Sequence, residues 1–275
     1  RPLAFDFPTD ETACRVEDQV MLGHDCMIAP VYEQNARGRY VYLPEDWDEE
    51  ERRYPVLYMF DGQNVFFDGD ATYGKSWGMA DFAECSDLPM IVAAVESNRG
   101  AHGERLSEYS PFTVREPGLG GYVVGRGRTT MEWLVNEFKP LIDAEFPTLP
   151  DREHTLIAGS SMGGLMSLYA VTEYNHVFSR AACLSPSVWF ATERLDRLLR
   201  TVPLEENTVI YMDYGSNEMK FHPNMKRQFA RVTARLLERD VHLVSRIVPN
   251  GDHCEACWEK QIPYFMDVLL YDLDE

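Results

Sequence analysis

The stretch Thr155-Leu156-Ile157-Ala158-Gly159-Ser160-Ser161-Met162-Gly163-Gly164 decides how the rest of the chain is read. Leu156 to Ala158 form a short apolar run that suits a strand covered on both faces. Leu165, Met166, Leu168 and Tyr169 continue at helical spacing. Between the two lies Gly159-Ser160-Ser161-Met162-Gly163, a G-x-S-x-G pattern. On a tight strand-to-helix turn, the flanking glycines allow close packing and leave the serine hydroxyl projecting near a helix N-terminus. The pentapeptide alone also fits a structural turn. The strand before it, the helix after it and the partners downstream make Ser161 the candidate nucleophile.

A serine hydroxyl is a weak nucleophile and needs a base, normally a histidine oriented by a carboxylate. Asn250-Gly251-Asp252-His253 follows the apolar run Val241–Val248 and precedes a helical stripe of Trp258, Ile262, Phe265 and Leu269. His253 therefore sits on a loop after the last strand. For the acid, the strand Val209–Met212 leads into Asp213-Tyr214-Gly215-Ser216-Asn217-Glu218, where two carboxylates compete. Asp213 stands at the strand end, and Glu218 lies on the loop, from which a longer side chain reaches across to an imidazole. Glu218 is favoured, with Asp213 open. The oxyanion needs two preset N–H donors. One is expected from Met162, directly after the nucleophile, and the other from Asp61-Gly62-Gln63-Asn64 after the buried strand Pro55–Phe60. Gln63 is the choice, with Asn64 next.

From Arg39 on, strand and helix patterns alternate. Tyr40–Leu43, Pro55–Phe60, Met90–Val95, Ala181–Leu184, Val209–Met212 and Val241–Val248 read as strands. Lys75–Cys85, the face Met131 to Ile142, Glu193–Arg200 and the face Met225 to Leu236 read as helices. Such alternation predicts a mostly parallel central sheet with helices on both faces. Ser97–Gly127 reads as a long irregular loop, and a loop of that length is usually functional. Arg105 and Glu108 within it are candidates for the substrate entrance, with a structural ion pair as the alternative. Trp77, Tyr109, Tyr122 and Trp189 are candidates for an aromatic pocket, although aromatics are mostly core.

The 275 residues are enough for one large α/β domain, and 26 basic against 45 acidic residues give a net charge of −19. That excludes nucleic acid or an anionic membrane as the expected partner. No window approaches a membrane span and no basic-then-apolar leader opens the chain. Arg1 is not a methionine, which leaves room for sequence upstream. Six cysteines at this length make no disulfide framework, so a reducing cytoplasm is the expected compartment. Cys254-Glu255-Ala256-Cys257 is a C-x-x-C without a second ligand pair, and Asp68-Gly69-Asp70 reads as a turn. No metal and no cofactor are expected.

Two resemblances emerge. Tyr54 to Gln63, then Arg105-Leu106-Ser107-Glu108-Tyr109-Ser110-Pro111, the Ser161 turn, Tyr214-Gly215-Ser216-Asn217-Glu218 and Gly251-Asp252-His253 with Trp258 occur in one order. Together they resemble the putative-esterase family of α/β-hydrolases, which includes esterase D, enterochelin esterases, feruloyl and acetylxylan esterases, and mycolyltransferases. Over about residues 39–275 the resemblance implies an α/β-hydrolase fold and a Ser161–Glu218–His253 triad that hydrolyses carboxylic esters through an acyl-enzyme. Residues 1–44, including Val16 to Asp25, Met27-Ile28-Ala29-Pro30-Val31 and Tyr40-Val41-Tyr42-Leu43-Pro44, resemble the end of the catalytic barrel of family 31 glycoside hydrolases, without its catalytic carboxylates. The expectation is thus a leader over 1–37 that is no independent domain, followed by an esterase domain over 38–275. The expected substrate is a small-molecule or carbohydrate-linked ester, acetyl or feruloyl. A siderophore lactone esterase and a non-catalytic binding protein on the same fold are the alternatives. Oligomeric state is left open.

Overall fold

A computed structural model describes residues 20–22, 26–29, 38–48, 51–98, 100, 103–116, 121–218 and 224–273. Its centre is a nine-stranded sheet. The strands are β1 (Val20–Leu22), β2 (Cys26–Ala29), β3 (Arg39–Tyr42), β4 (Val56–Phe60), β5 (Ile91–Val95), β8 (Thr155–Ser160), β9 (Arg180–Leu184), β10 (Val209–Gly215) and β11 (His242–Val248), while β6 (Val114–Glu116) and β7 (Gly121–Val123) form a separate hairpin. The order across the sheet is β1-β2-β3-β5-β4-β8-β9-β10-β11. Pairing is antiparallel from β1 to β5 and parallel from β5 to β11.

Side-chain alternation along these strands builds two cores. Leu57, Met59, Leu156, Ala158, Leu184 and Tyr211 face one side, where Met79, Ala83, Phe265 and Leu269 cover them. Tyr58, Phe60, Ile157, Cys183, Ile210 and Met212 face the other, against Phe138, Leu165, Leu195 and Phe229. The helices that carry these residues are Met79–Ser86 and Ile262–Leu270 on the first face. On the second are the run 127–145, Met162–Glu173, Thr192–Thr201 and Met225–Leu237. This is the α/β-hydrolase architecture. No helix among the described residues is long and apolar enough to cross a membrane.

Three local expectations are corrected. The first helix starts at Met79, not Lys75, because the preceding residues are tied elsewhere: Ser76 N–H donates to Asp68 Oδ1 (2.8 Å), and Trp77 N–H donates to the Asn64 carbonyl (2.8 Å). Gly78, at φ 65°, then makes the left-handed entry. The stretch 97–127 is not irregular throughout, since it holds a short helix, Glu104–Glu108, and the β6–β7 hairpin. The expected helix at 131–142 is longer, and its middle turn, Leu134–Phe138, is a π-helix. Pro140, just beyond, has no N–H to give to the preceding turn, which accounts for the widened register.

The expectation for residues 1–37 falls largely outside the described residues. Within it, however, β1 and β2 form a hairpin whose second strand pairs with β3, Met27 opposite Val41 and Ile28 opposite Tyr40. This part of the leader belongs to the central sheet.

Candidate active site

Every candidate catalytic group follows the carboxyl end of a parallel strand, where open α/β sheets place their sites. β8 ends at Ser160, and Ser161 takes φ 59°, ψ −120° before the helix Met162–Glu173 begins. This is strained backbone for a residue with a Cβ. Main-chain bonds hold it there: Ser161 N–H donates to the Leu184 carbonyl (2.9 Å), and its own carbonyl accepts from Ser187 N–H (3.0 Å) and Leu165 N–H (3.1 Å). The glycines are required sterically. A Cβ on Gly159 would lie 2.7 Å from the Gly163 backbone, and one on Gly164 would lie 2.8 Å from the Leu184 carbonyl oxygen.

His253 lies beyond β11, and its Nδ1 is 2.7 Å from Glu218 Oε2. An ionised carboxylate only accepts, so this contact puts the proton on Nδ1 and leaves Nε2 for Ser161, which lines the same cavity. Glu218 is buried, 3% exposed. Its other oxygen accepts from Ser185 Oγ (2.6 Å) and Gly215 N–H (3.0 Å). Ser185 Oγ in turn accepts from Trp258 Nε1 (2.9 Å), whose ring meets His253 edge-on at 5.0 Å. Trp258, Ser185, Glu218 and His253 thus form one hydrogen-bonded and packed unit.

Asp213 sits apart from this chain. At the end of β10 it accepts from Tyr211 Oη (2.9 Å) and Ser185 N–H (3.2 Å). Burial pushes its carboxyl up to about 6, and the nearby Glu218 charge adds to the rise. Of the two carboxylates left open by the sequence, the structure joins Glu218 to His253.

On the oxyanion side, Met162 opens its helix and Gln63 lies in the 3-10 turn Gly62–Asn64 after β4. First-turn N–H groups have no intrahelical partner, so both main chains suit the role. The Gln63 side chain is committed elsewhere: its Nε2 donates to Ser97 Oγ (2.9 Å) and its Oε1 accepts Ser97 N–H (3.1 Å). Gly62 passes so close to the β5 backbone that a Cβ would sit 2.9 Å from Val95. Asp61 before it, at φ 58°, receives the Arg105 fork on both oxygens at 2.6 Å each. This pairing outweighs burial and holds the Arg105 guanidinium firmly charged, although burial opposes it.

Ser161, His253, Gln63, Asn64, Arg105 and Glu255 are among the residues that line a cavity of about 490 Å³, whereas Met162 and Glu218 are not. Asn64 donates from Nδ2 to Glu255 Oε1 (3.3 Å) and accepts Thr72 N–H on Oδ1 (2.9 Å). Glu108 and Trp189 are not among the lining residues. Glu108 is buried and accepts Asn98 N–H (2.9 Å), bracing the loop that does line the cavity. Trp189 packs against the apolar core beside Phe190. The aromatic pocket is also corrected: Trp77 and Tyr109 are buried in the core, Tyr122 lies exposed on the hairpin, and the cavity's aromatics are Tyr73 and Trp258. Sequence reasoning missed Ser185 and Glu255. Ser185 carried a weak signal, a Ser-Pro-Ser run directly after a strand. Glu255 was hidden inside the C-x-x-C.

A serine on a strained turn and a carboxylate-held histidine beside one cavity agree with the class that the family match shows: a serine esterase of the α/β-hydrolase fold, hydrolysing carboxylic esters. The chain belongs to the family described as "Putative esterase", whose model matches residues 33–265. It is similar to the uncharacterized protein YbbA of Bacillus subtilis (strain 168), 22% identical over 71% of this chain and 74% of that one. It is also similar to the siderophore triacetylfusarinine C esterase of Aspergillus fumigatus, 25% identical over 58% of this chain and 55% of that one. Among solved structures, the enterobactin esterase of Shigella flexneri shares the fold at 20% identity, with a TM-score of 0.67 over 86% of this chain and 56% of that one. The chain thus spans little more than half the length of the last two.

Proposed function

We propose that Ser161, His253 and Glu218 are the catalytic triad and that Met162 and Gln63 N–H groups hold the oxyanion. The Ser161 hydroxyl attacks the ester carbonyl while His253 Nε2 takes its proton. The tetrahedral oxyanion is held by the two N–H groups, and the imidazolium by Glu218. Collapse breaks the ester bond. His253 then gives the proton to the departing alkoxide, leaving an acyl-Ser161. Water, deprotonated by the same nitrogen, attacks the acyl-enzyme, and the acid leaves as Ser161 regains its proton.

The observation that carries this reading is the 2.7 Å Glu218–His253 contact beside a cavity that also contains Ser161. A fluorophosphonate probe should label the chain on Ser161. Label on another serine, or none on folded protein, would overturn the reading and favour a binding protein on a hydrolase fold.

For the substrate, the cavity wall is a guide. Gln63, Asn64, Thr72, Ser97, Asn98 and Arg105 give it hydrogen-bonding groups, but the larger part of its exposed surface is apolar, with Tyr73 and Trp258 among the lining residues. Together with the siderophore esterase relative, this mixed wall supports a small-molecule ester of the siderophore kind. Acetyl or feruloyl esters on carbohydrate are the second reading, which the same mixed wall also accommodates. Turnover of one siderophore ester, one acetylated xylooligosaccharide and one feruloyl ester, compared at equal concentration, ranks the three.

A further inference from the structure

One carboxylate in the cavity has no part in that chemistry. Glu255 follows the catalytic loop, is 6% exposed, and lines the cavity together with His253. Asn64 donates to one of its oxygens over a long 3.3 Å. Among the described residues no lysine or arginine pairs with it. The contrast with Asp61 in the same cavity is direct, since Asp61 receives two short bonds from Arg105. Burial, and to a smaller extent the negative charge of Asp61, hold the Glu255 carboxyl above its ordinary value, against its own main-chain N–H and the nearby His253 and Arg105, which favour the charged form. An incompletely bonded carboxylate is costly to bury. Facing a substrate cavity, it has room to accept a further donor from a bound substrate.

We propose that Glu255 is a specificity residue, anchoring a positively charged or hydroxyl hydrogen-bond donor on the non-reacting part of the ester and disfavouring esters that carry a carboxylate there. The inference rests on the esterase reading above. It adds that, among the described residues, the charge of the cavity wall is set by Glu255, with Arg105 already paired to Asp61.

The test is a matched set of p-nitrophenyl esters with acyl chains of equal length ending in methyl, ammonium or carboxylate, assayed on the full chain and on Glu255→Gln. The wild-type kcat/KM should fall in the order ammonium, methyl, carboxylate. Glu255→Gln should lower the ammonium ester and raise the carboxylate ester, each by about tenfold and mainly through KM, as loss of one nearby charge requires. The methyl ester should change least of the three. An unchanged ranking in Glu255→Gln overturns the proposal. So does an equal loss on all three esters, which marks a purely structural carboxylate. Ser161→Ala serves as the separate control. If it keeps wild-type turnover, the esterase reading itself fails, whereas a dead Ser161→Ala with an unchanged Glu255→Gln ranking defeats only the role given to Glu255.

Discussion

The nucleophile and the histidine are held in place by different means. Around Ser161 the constraints are main-chain ones: a left-handed φ, three backbone hydrogen bonds and glycines whose missing Cβ atoms let backbone approach backbone. Around His253 the constraints run largely through side chains, from Trp258 to Ser185 to Glu218 to the imidazole. A backbone turn tolerates very few residues at its glycine positions. A side-chain relay can be assembled from residues far apart in the chain, and here it draws on the ends of β9, β10 and β11.

The largest effect should come from the backbone-held side. Ser161→Ala should lower ester turnover by about a thousandfold or more, leaving the residual catalysis that oxyanion donors supply without a nucleophile. Ser160→Ala, beside it and buried, should stay active. A dead Ser160→Ala with an active Ser161→Ala would shift the turn by one residue and undo the comparison.

Next is the carboxylate of the relay. Glu218→Gln should cut kcat by roughly a hundredfold to ten-thousandfold, since the imidazole loses its orienting acceptor. Asp213→Asn should cost far less, because Asp213 bonds Tyr211 and Ser185 rather than His253. Its effect should appear in stability against pH. The Asp213 carboxyl, held up to about 6, binds its proton more tightly in the folded chain than in the unfolded one. That contribution is complete below the ordinary carboxyl range and is lost as pH rises through about 6. Asp213→Asn removes the loss, so melting of the variant relative to wild type should improve between pH 4 and pH 8. The same offset at both pH values would contradict the assignment.

How much of this was legible follows the same division. The succession of strands along the chain, the mostly parallel sheet and the Ser161 turn could be read because apolar periodicity and paired glycines are local signals, whereas the spatial strand order could not. His253 and Glu218 were legible by chain order alone. Its place on the loop and the family resemblance favour Glu218 over Asp213, but deciding between them took the 2.7 Å contact with His253, between residues 35 apart in sequence. Glu255 was illegible for a related reason: its environment is built by Asn64, 191 residues away. The start of the first helix was misread because Ser76 and Trp77 spend their N–H groups on loop partners.

Ser185 is the middle of the relay, and a smaller effect is expected there. Ser185→Ala removes the 2.6 Å donor to Glu218 and the acceptor for Trp258 Nε1, but Gly215 N–H still holds the carboxylate. Turnover should fall by about tenfold, the worth of one hydrogen bond to a charged group. As a positioning role requires, the acid limb of the pH–kcat profile should also move upward, because a Glu218 carboxylate that has lost one donor attracts the imidazolium more strongly. A loss of stability with kcat and its pH profile unchanged would reduce Ser185 to packing.

The smallest effect on chemistry should come from the opposite edge of the sheet. β1 and β2 lie beyond β3, with β5 and β4 between them and the Ser161 strand. No proposed triad member or oxyanion donor is in residues 1–37. We therefore propose that this leader supports the sheet without shaping the site. A chain beginning at Gly38 loses the β1–β2 hairpin and leaves β3 as an edge strand with unpaired N–H and C=O groups. Tyr40 and Tyr42 remain packed in the core on the β5 side, so the fold should persist. Its melting temperature should drop by about 4–8 °C for each kcal/mol lost in a small domain and by less at this size. It should also aggregate more readily through the new edge. On one soluble ester, kcat should equal that of the full chain. A folded, monomeric truncation that has lost turnover would mean that the edge hairpin reaches the site, and that the leader is part of the catalytic unit.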